Sequence, residues 1–327
     1  MIPYGRQNIN EEDIEAVIEV LKSDFITQGP VVPEFEKAVA KYTSANYGVA
    51  VNSATSALHI ACLALGVGRG DVVWTSPISF VASSNCAIYC GAKVDFVDID
   101  KNTYNMSIDC LEMKLKDAKR NNTLPKVVIP VHLAGQSCEM EEIKKLSDKY
   151  GFKIIEDASH AIGGKYKDQP VGSCNFSDIT VFSFHPVKII TTGEGGCITT
   201  NKKEYFENMK LFRENGIQKN PRKFRYKSPG PWYYEQQKIG YNFRMNDIQA
   251  ALGISQLKRI KNFVQRRNKV ASIYKKNLEG LPLTFQKINK KFYSSYHLFI
   301  LRINKEQKKI FKSLFLFLRK KKIYVNL

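Results

Sequence analysis

Between residues 48 and 200, short runs rich in β-branched residues alternate with stretches long enough for helices, and that rhythm admits few folds. The runs are Gly48 to Val51, Val72 to Trp74, Val94 to Val97, Val127 to Val131, Lys153 to Ile155, Ile179 to Phe182 and Gly196 to Thr199. Helix-length segments at 54–65, 107–119 and 139–150 separate several of them. Strands alternating with helices predict an α/β fold whose mainly parallel sheet is flanked by helices on both faces. In such sheets a ligand sits at the carboxyl ends of the strands.

Helical periodicity frames this region. Ile14, Val17, Ile18 and Leu21 mark one amphipathic helix, and Phe35, Val39 and Tyr42 mark a second. From Met245 to about Leu278 a long helical pattern runs with Ile248, Leu252, Ser255 and Ile260 on one side, leading to a strand over 296–303 and a helix near 306–318. At 327 residues the chain exceeds what one core usually organises. The expectation is a large domain over 1–250 and a smaller α/β domain over 251–327.

The formal net charge of +19 suggests nucleic acid until it is located. From Lys258 onward 20 lysines and arginines face only Glu279 and Glu306, so +18 of the +19 belongs to that segment. Those lysines interleave with Ile, Phe and Leu at helical spacing, the pattern of a solvated helix face, and no nucleic-acid motif accompanies them. Attraction of a phosphate-bearing substrate needs no such motif. Seven cysteines, an odd number without a C-x-x-C pair, predict reduced thiols rather than disulfides or a metal site. No run reaches the roughly 18 apolar residues of a membrane span, and Met1 to Gln7 lacks a signal peptide's apolar core, so a cytoplasmic protein is expected.

Three groups after strand ends suggest a chemistry. Thr55 and Ser56 fall in the first turn of the helix after the first strand, where unpaired N–H groups and the helix dipole favour an anion. Asp157 ends an apolar strand, where a bare carboxylate is costly unless it meets a cation. Lys188 follows the strand at 179–184 and precedes Gly193, Gly195 and Gly196, which allow close approach of a ligand. Together they supply what pyridoxal phosphate needs: a phosphate site, a partner for the protonated ring nitrogen and an amine for the aldehyde. His160 would hydrogen-bond its phenolic oxygen. Each group alone also fits a structural role, as a helix cap for Thr55, Ser56 or Asp157 and as a core histidine for His160.

Five ordered motifs carry a resemblance. Ser-Ala-Thr-Ser-Ala-Leu-His (53–59), Glu-Asp-Ala-Ser-His-Ala-Ile-Gly (156–163), Ser-Phe-His-Pro-Val-Lys (183–188), Thr-Thr-Gly-Glu-Gly-Gly (191–196) and Gly-Tyr-Asn-Phe-Arg-Met-Asn-Asp-Ile-Gln-Ala-Ala-Leu-Gly (240–253) resemble the fold-type I sugar aminotransferases of the DegT/DnrJ/EryC1/StrS group. Residues 21–30, 77–80 and 231–235 are most similar to the branch acting in pseudaminic acid synthesis, on a UDP-linked 4-keto-6-deoxy-N-acetylhexosamine. The resemblance implies that Lys188 carries the cofactor and shuttles a proton, and that Asp157 holds the ring nitrogen's proton. It further implies that Thr55, Ser56 and Ser183 bind the phosphate, that Phe80 stacks on the ring and that His160 faces the phenolic oxygen.

Asn242 would reach the cofactor of a neighbouring subunit, implying a homodimer with shared sites. Tyr4 and Asp24, Phe25, Ile26 and Thr27 would meet the nucleotide-sugar, with L-glutamate as donor. A sugar 3-dehydratase would carry histidine where Lys188 stands. The resemblance also implies that the family continues beyond the equivalent of Tyr324 to Leu327 with a His-Tyr segment. The expectation is an incomplete small domain with an apolar patch around Phe311, Leu314, Phe315 and Leu318, and weak turnover or an inactive cofactor-binding relative as the alternative.

Overall fold

The computed structural model describes residues 1–304 and 309–326. Two helices, α1 (Glu11–Leu21) and α2 (Val31–Thr43), precede the first strand; in α2 Phe35 and Val39 are buried as their spacing predicts, but in α1 the expected stripe is exposed at Ile14, Ile18 and Leu21, and Asp13 and Val20 are the buried residues. The chain then alternates β1 (Tyr47–Val51), α3 (Ala54–Ala64), β2 (Val72–Thr75), α4 (Ala82–Tyr89), β3 (Lys93–Phe96), α5 (Ile108–Arg120), β4 (Val127–Ile129), α6 (Met140–Tyr150) and β5 (Lys153–Asp157). A hairpin of β6 (Lys165–Tyr166) and β7 (Gln169–Pro170) leads to β8 (Ile179–Ser183), β9 (Gly196–Thr200) and α7 (Lys203–Arg213).

Seven strands form one sheet in the order β1-β9-β8-β5-β4-β2-β3. The pairs β8-β5, β5-β4, β4-β2 and β2-β3 are parallel, and β9 runs against both of its neighbours. Period-2 alternation along the strands builds three layers. Val49, Val51, Val73, Ile155 and Val181 face a core shared with α3, α4 and α7. On the other side Ala50, Phe182 and Cys197 pack with α2 and later helices, while Trp74, Val128 and Ile154 pack with α5 and α6. This is the mainly parallel α/β sheet flanked by helices on both faces that the strand–helix rhythm predicts.

Beyond the sheet come the short pair β10 (Ile217–Gln218) and β11 (Glu235–Gln236), then α8 (Asp247–Lys258), α9 (Ile260–Asn277), β12 (Leu283–Phe285), β13 (Phe292–Tyr293), β14 (Leu301–Ile303) and α10 (Phe311–Lys320). Four expectations change here. The pattern from Met245 to Leu278 is two helices, broken at Arg259, whose guanidinium is held by Asp13 and Asn8. In α8, Ile248 and Leu252 are only half-buried, and Ala250, Ala251, Gly253, Gln256 and Leu257 join Ser255 inside; a Cβ on Gly253 would sit 2.6 Å from the Phe35 ring. The strand expected at Val127–Val131 stops at Ile129, where Pro130 has no N–H to give.

The strand expected over 296–303 shortens to Leu301–Ile303, paired with β12. Residues 294–298 instead dock on the loop at 134–135, with Ser295 N donating to Gly135 O at 3.0 Å and Leu298 N to Ala134 O at 3.4 Å. The helix expected near 306–318 is α10, and residues 306–308 lie outside the described residues. In α10 Phe311, Leu316 and Phe317 are exposed while Leu314, Phe315 and Leu318 are half-buried. Among the described residues no helix is long and apolar enough to cross a membrane.

Candidate active site

The phosphate-like corner is built by register. Val51, Gly196 and Ser183 are aligned across β1, β9 and β8, so the last residue of β8 stands level with the end of β1. Two residues past Val51, Ser53 caps α3 and its hydroxyl accepts the Ser56 N–H at 3.1 Å. Ser56 in turn donates its hydroxyl to Asn52 Oδ1 at 2.7 Å. Ala54 and Thr55, as the first two helical residues, keep N–H groups without an intrahelical partner. Gly196 makes the approach possible, because a Cβ there would lie 2.8 Å from Ala54 N.

Two strands away, the adjacent acids Glu156 and Asp157 point to opposite faces of the sheet. Glu156 is structural. It bonds His132 at 2.6 Å inside the core, where contacts with Cys138 and Glu156 outweigh burial and hold the imidazole up to about 10. Asp157 ends β5 and is 4 % exposed. Its Oδ2 accepts from Ser83 Oγ at 2.5 Å and its Oδ1 from Ser159 N at 3.1 Å, leaving acceptor capacity on a buried carboxylate. Ser83 belongs to α4 and is itself bonded to Ser79 at 2.6 Å, so the loop carrying Phe80 also steadies Asp157.

Lys188 follows β8 on a loop turned at Pro186. Burial lowers its pKa below the ordinary lysine value, against the opposing pull of Asp157. His160 lies in the field of both groups. Burial first, and the Lys188 charge second, push its pKa down to about 3, so the ring is neutral. Its Nδ1 accepts the Ala134 N–H at 3.3 Å, which leaves the ring proton on Nε2 as a donor.

The rim is more open. Phe80 is 71 % exposed and Asn242 is exposed, one residue before Phe243, whose carbonyl accepts the Asn52 N–H at 2.9 Å. Asp24, Phe25, Ile26 and Thr27 are exposed on the loop between α1 and α2. Asp247, fully buried, holds that loop by accepting from Gly29, Val31 and Val32 N–H at 2.8 to 3.1 Å. Tyr4 lines a cavity of about 310 Å³ with Arg319 and Tyr324, away from Lys188. The next residues do reach the lysine: Gly5 packs on Val187, and Arg6 shares a cleft with Lys188.

Three participants escaped the sequence. Ser83 holds Asp157 from 74 residues away. His297 packs against His160 with ring centroids 4.4 Å apart and the planes tilted by 39°, buried and with Nδ1 unpartnered. Gly135, at φ +103°, admits Ser295, whose hydroxyl bonds His160 O at 2.9 Å. A lone serine, histidine or glycine carries no local signal for such contacts.

Comparison with known sequences decides the class: the DegT/DnrJ/EryC1/StrS aminotransferase family matches residues 7–327. The chain belongs to this family. It is similar to the UDP-4-amino-4,6-dideoxy-N-acetyl-beta-L-altrosamine transaminase of Campylobacter jejuni (strain 81-176), 42% identical over 279 residues, 85% of this chain and 70% of that protein. Among solved structures it is similar to Helicobacter pylori PseC, an aminotransferase involved in the biosynthesis of pseudoaminic acid, at TM-score 0.89 and 35% identity over 98% of this chain and 82% of that one. It is also similar to the PLP-form of the sugar aminotransferase Spr1654 from Streptococcus pneumoniae, at TM-score 0.84 and 29% identity over 98% and 82%.

Aminotransferases of this family use pyridoxal phosphate, and the donor set here fits it. A buried carboxylate has a lone pair to spare, a glycine-walled helix start presents free N–H groups, and a desolvated lysine amine stands within the field of that carboxylate.

Proposed function

We propose that this protein transfers an amino group from L-glutamate to C4 of a UDP-linked 4-keto-6-deoxy-N-acetylhexosamine, a pseudaminic acid precursor, as a cytoplasmic homodimer with shared sites. The observation that carries the chemistry is the convergence of Asp157, His160 and Lys188 at neighbouring strand ends, two of them with pKa values lowered by burial. The sugar assignment rests on the 42% identity to the Campylobacter altrosamine transaminase.

Bound pyridoxal phosphate supplies an aldehyde for amine exchange and a protonated ring that withdraws the electrons of a broken C–H bond. The chain's own groups do the rest. The N–H groups at the start of α3, with Thr55, Ser56 and Ser183, hold the phosphate. Asp157 keeps the ring nitrogen's proton in place through an ion pair inside a low-dielectric pocket. His160 donates from Nε2 to the phenolic oxygen, and Phe80 covers the ring.

Lys188 carries the cofactor between turnovers, and its amine, favoured in the free-base form by burial, moves the proton at the substrate carbon. Asn242 reaches the partner's phosphate, while Tyr4 and residues 24–27 line the sugar side. The test is incubation of the cofactor-loaded protein with L-glutamate and the UDP-keto-sugar, followed by mass spectrometry. A 4-amino sugar formed in step with 2-oxoglutarate is expected. Amination of a GDP-linked keto-sugar instead would overturn the nucleotide assignment.

A further inference from the structure

The loop at 133–136 that meets His160 is held in a conformation its residues do not favour. Ala134, fully buried, lies at φ +60°, in the left-handed region that a residue with a Cβ adopts only at a cost. Such a backbone persists where its surroundings over-determine it. Two buried amides do so here. Asn105 accepts the Leu133 N–H at Oδ1, 3.0 Å away, and donates from Nδ2 to the carbonyls of Gln136 and Ser137, each at 3.0 Å. Gln286 donates from Nε2 to the carbonyls of Leu133 at 3.2 Å and Thr103 at 2.7 Å, tying the loop to the segment that carries Asn105. That segment is itself turned by a left-handed residue, Tyr104 at φ +61°.

Among the described residues neither amide bonds His160, Asp157 or Lys188. Between the two ends that Asn105 grips, however, Ala134 presents its N–H to His160 Nδ1 at 3.3 Å. A ring nitrogen that accepts cannot carry the proton of a neutral imidazole, so this one backbone donor decides that Nε2 is the donor. The direction of the donor depends on the turn, and the turn on the two amides.

We propose that Asn105 and Gln286 are positioning residues for the transamination: by fixing the backbone at Ala134 they fix the tautomer of His160, and with it the hydrogen bond His160 offers the cofactor's phenolic oxygen. The inference rests on the placement of His160 against that oxygen. The other groups acting on His160 are Lys188 and Asp157, through their charges, and His297, packed against its ring, and all three are left in place by changes to the amides. A merely structural clamp would cost stability and leave the histidine as it was.

In apoprotein carrying 15N in its five histidines, the ring signals lost in His160→Ala identify His160. The unaltered protein should show one neutral tautomer with the proton on Nε2. In Asn105→Leu and in Gln286→Met, near-isosteres that lack the amide, the two ring nitrogens should move toward a common value as both tautomers become populated. Melting curves establish which variants are folded, and one folded variant suffices.

With pyridoxal phosphate bound, the pH midpoint of the cofactor's absorbance change reads the hydrogen bond at the phenolic oxygen. A donor there favours the deprotonated form, which has the fuller negative charge on that oxygen. His160→Ala should therefore raise the midpoint by about one pH unit, the size of a charge-assisted hydrogen bond, and each amide variant by up to that amount. In the His160→Ala background the amide variants should add nothing further.

An unaltered single tautomer in the folded variants would overturn the proposal. So would a midpoint shift that persists undiminished once His160 is alanine, since the amides would then act on another part of the site. If His160→Ala itself leaves the midpoint unmoved, the placement of His160 at the phenolic oxygen fails, while the apoprotein signals still decide whether Asn105 and Gln286 set its tautomer.

Discussion

The two halves of the active site are built differently. On the sheet side Asp157, Ser183 and Ser56 are buried, Lys188 and His160 are largely withdrawn from water, and several polar atoms are already engaged within the chain. On the rim Tyr4, residues 24–27, Phe80 and Asn242 are exposed. The buried half is preorganised by the core that the fold has to form anyway. The rim's geometry depends on whatever covers it, a substrate or a second protomer. Losses on the sheet side should therefore fall on the chemical step, and losses on the rim on binding.

The largest effect should come from Lys188. In Lys188→Ala turnover should fall by about 10⁴-fold, the upper range for a positioned acid–base group, and borohydride should no longer attach the cofactor covalently. Peptide mapping of the reduced wild-type protein that located the label on another lysine would break the assignment of this half. Asp157→Asn should retain the cofactor yet slow the half-reaction with glutamate by about 10³-fold, because a single preorganised electrostatic contact is removed. A loss of only a few-fold in single-turnover mixing would make Asp157 a structural cap.

Asn242→Ala should leave the chemical step nearly intact and weaken cofactor retention by about tenfold. At a pyridoxal phosphate concentration too low to load it alone, mixing it with Lys188→Ala protein under subunit exchange should recover up to about a quarter of wild-type activity, since half of the dimers are mixed and half of their sites carry neither change. No recovery would place Asn242 in its own protomer's site. Ser83→Ala leaves one buried carboxylate oxygen of Asp157 without its donor, and the expected cost is about 1–3 kcal/mol of unfolding free energy. Conservative Ser83→Thr should restore most of it, and denaturant titration decides.

The smallest effect concerns pH. The Lys188 amine attacks only as free base, and burial lowers its pKa, so the rate of cofactor attachment to apoprotein should rise with pH and level off below 10.5. His160, held down to about 3, should add no inflection above that pH. A plateau reached only beyond 10.5 would show that the pocket does not desolvate the lysine.

Much of the sheet was legible from residues alone, because strand alternation and helical period are local properties. All seven runs became strands of one sheet, and the segments at 54–65, 107–119 and 139–150 became helices within a few residues. Asp157 and Lys188 stood out for the same reason, one at the end of a strand and one just past a strand that the sequence itself announces, whereas Ser183, the last residue of β8, was singled out only by the resemblance. The small elements near the end were not. Residues 296–300 have the composition of a strand, yet the carbonyls of Tyr296 and His297 go to Arg267 and the Leu298 N–H goes to Ala134 in the loop at 134–135.

By itself the sequence determined the layered α/β frame, the motifs at its strand ends and the family they belong to. Only the tertiary structure decided that Ser83 steadies Asp157, that His297 packs against His160, and that Arg6 and Arg267 line one cleft with Lys188. Periodicity acts over a few residues and leaves its mark on them. These contacts join positions from 74 to more than 250 residues apart, and they exist only once burial of the core has brought separate elements against one another.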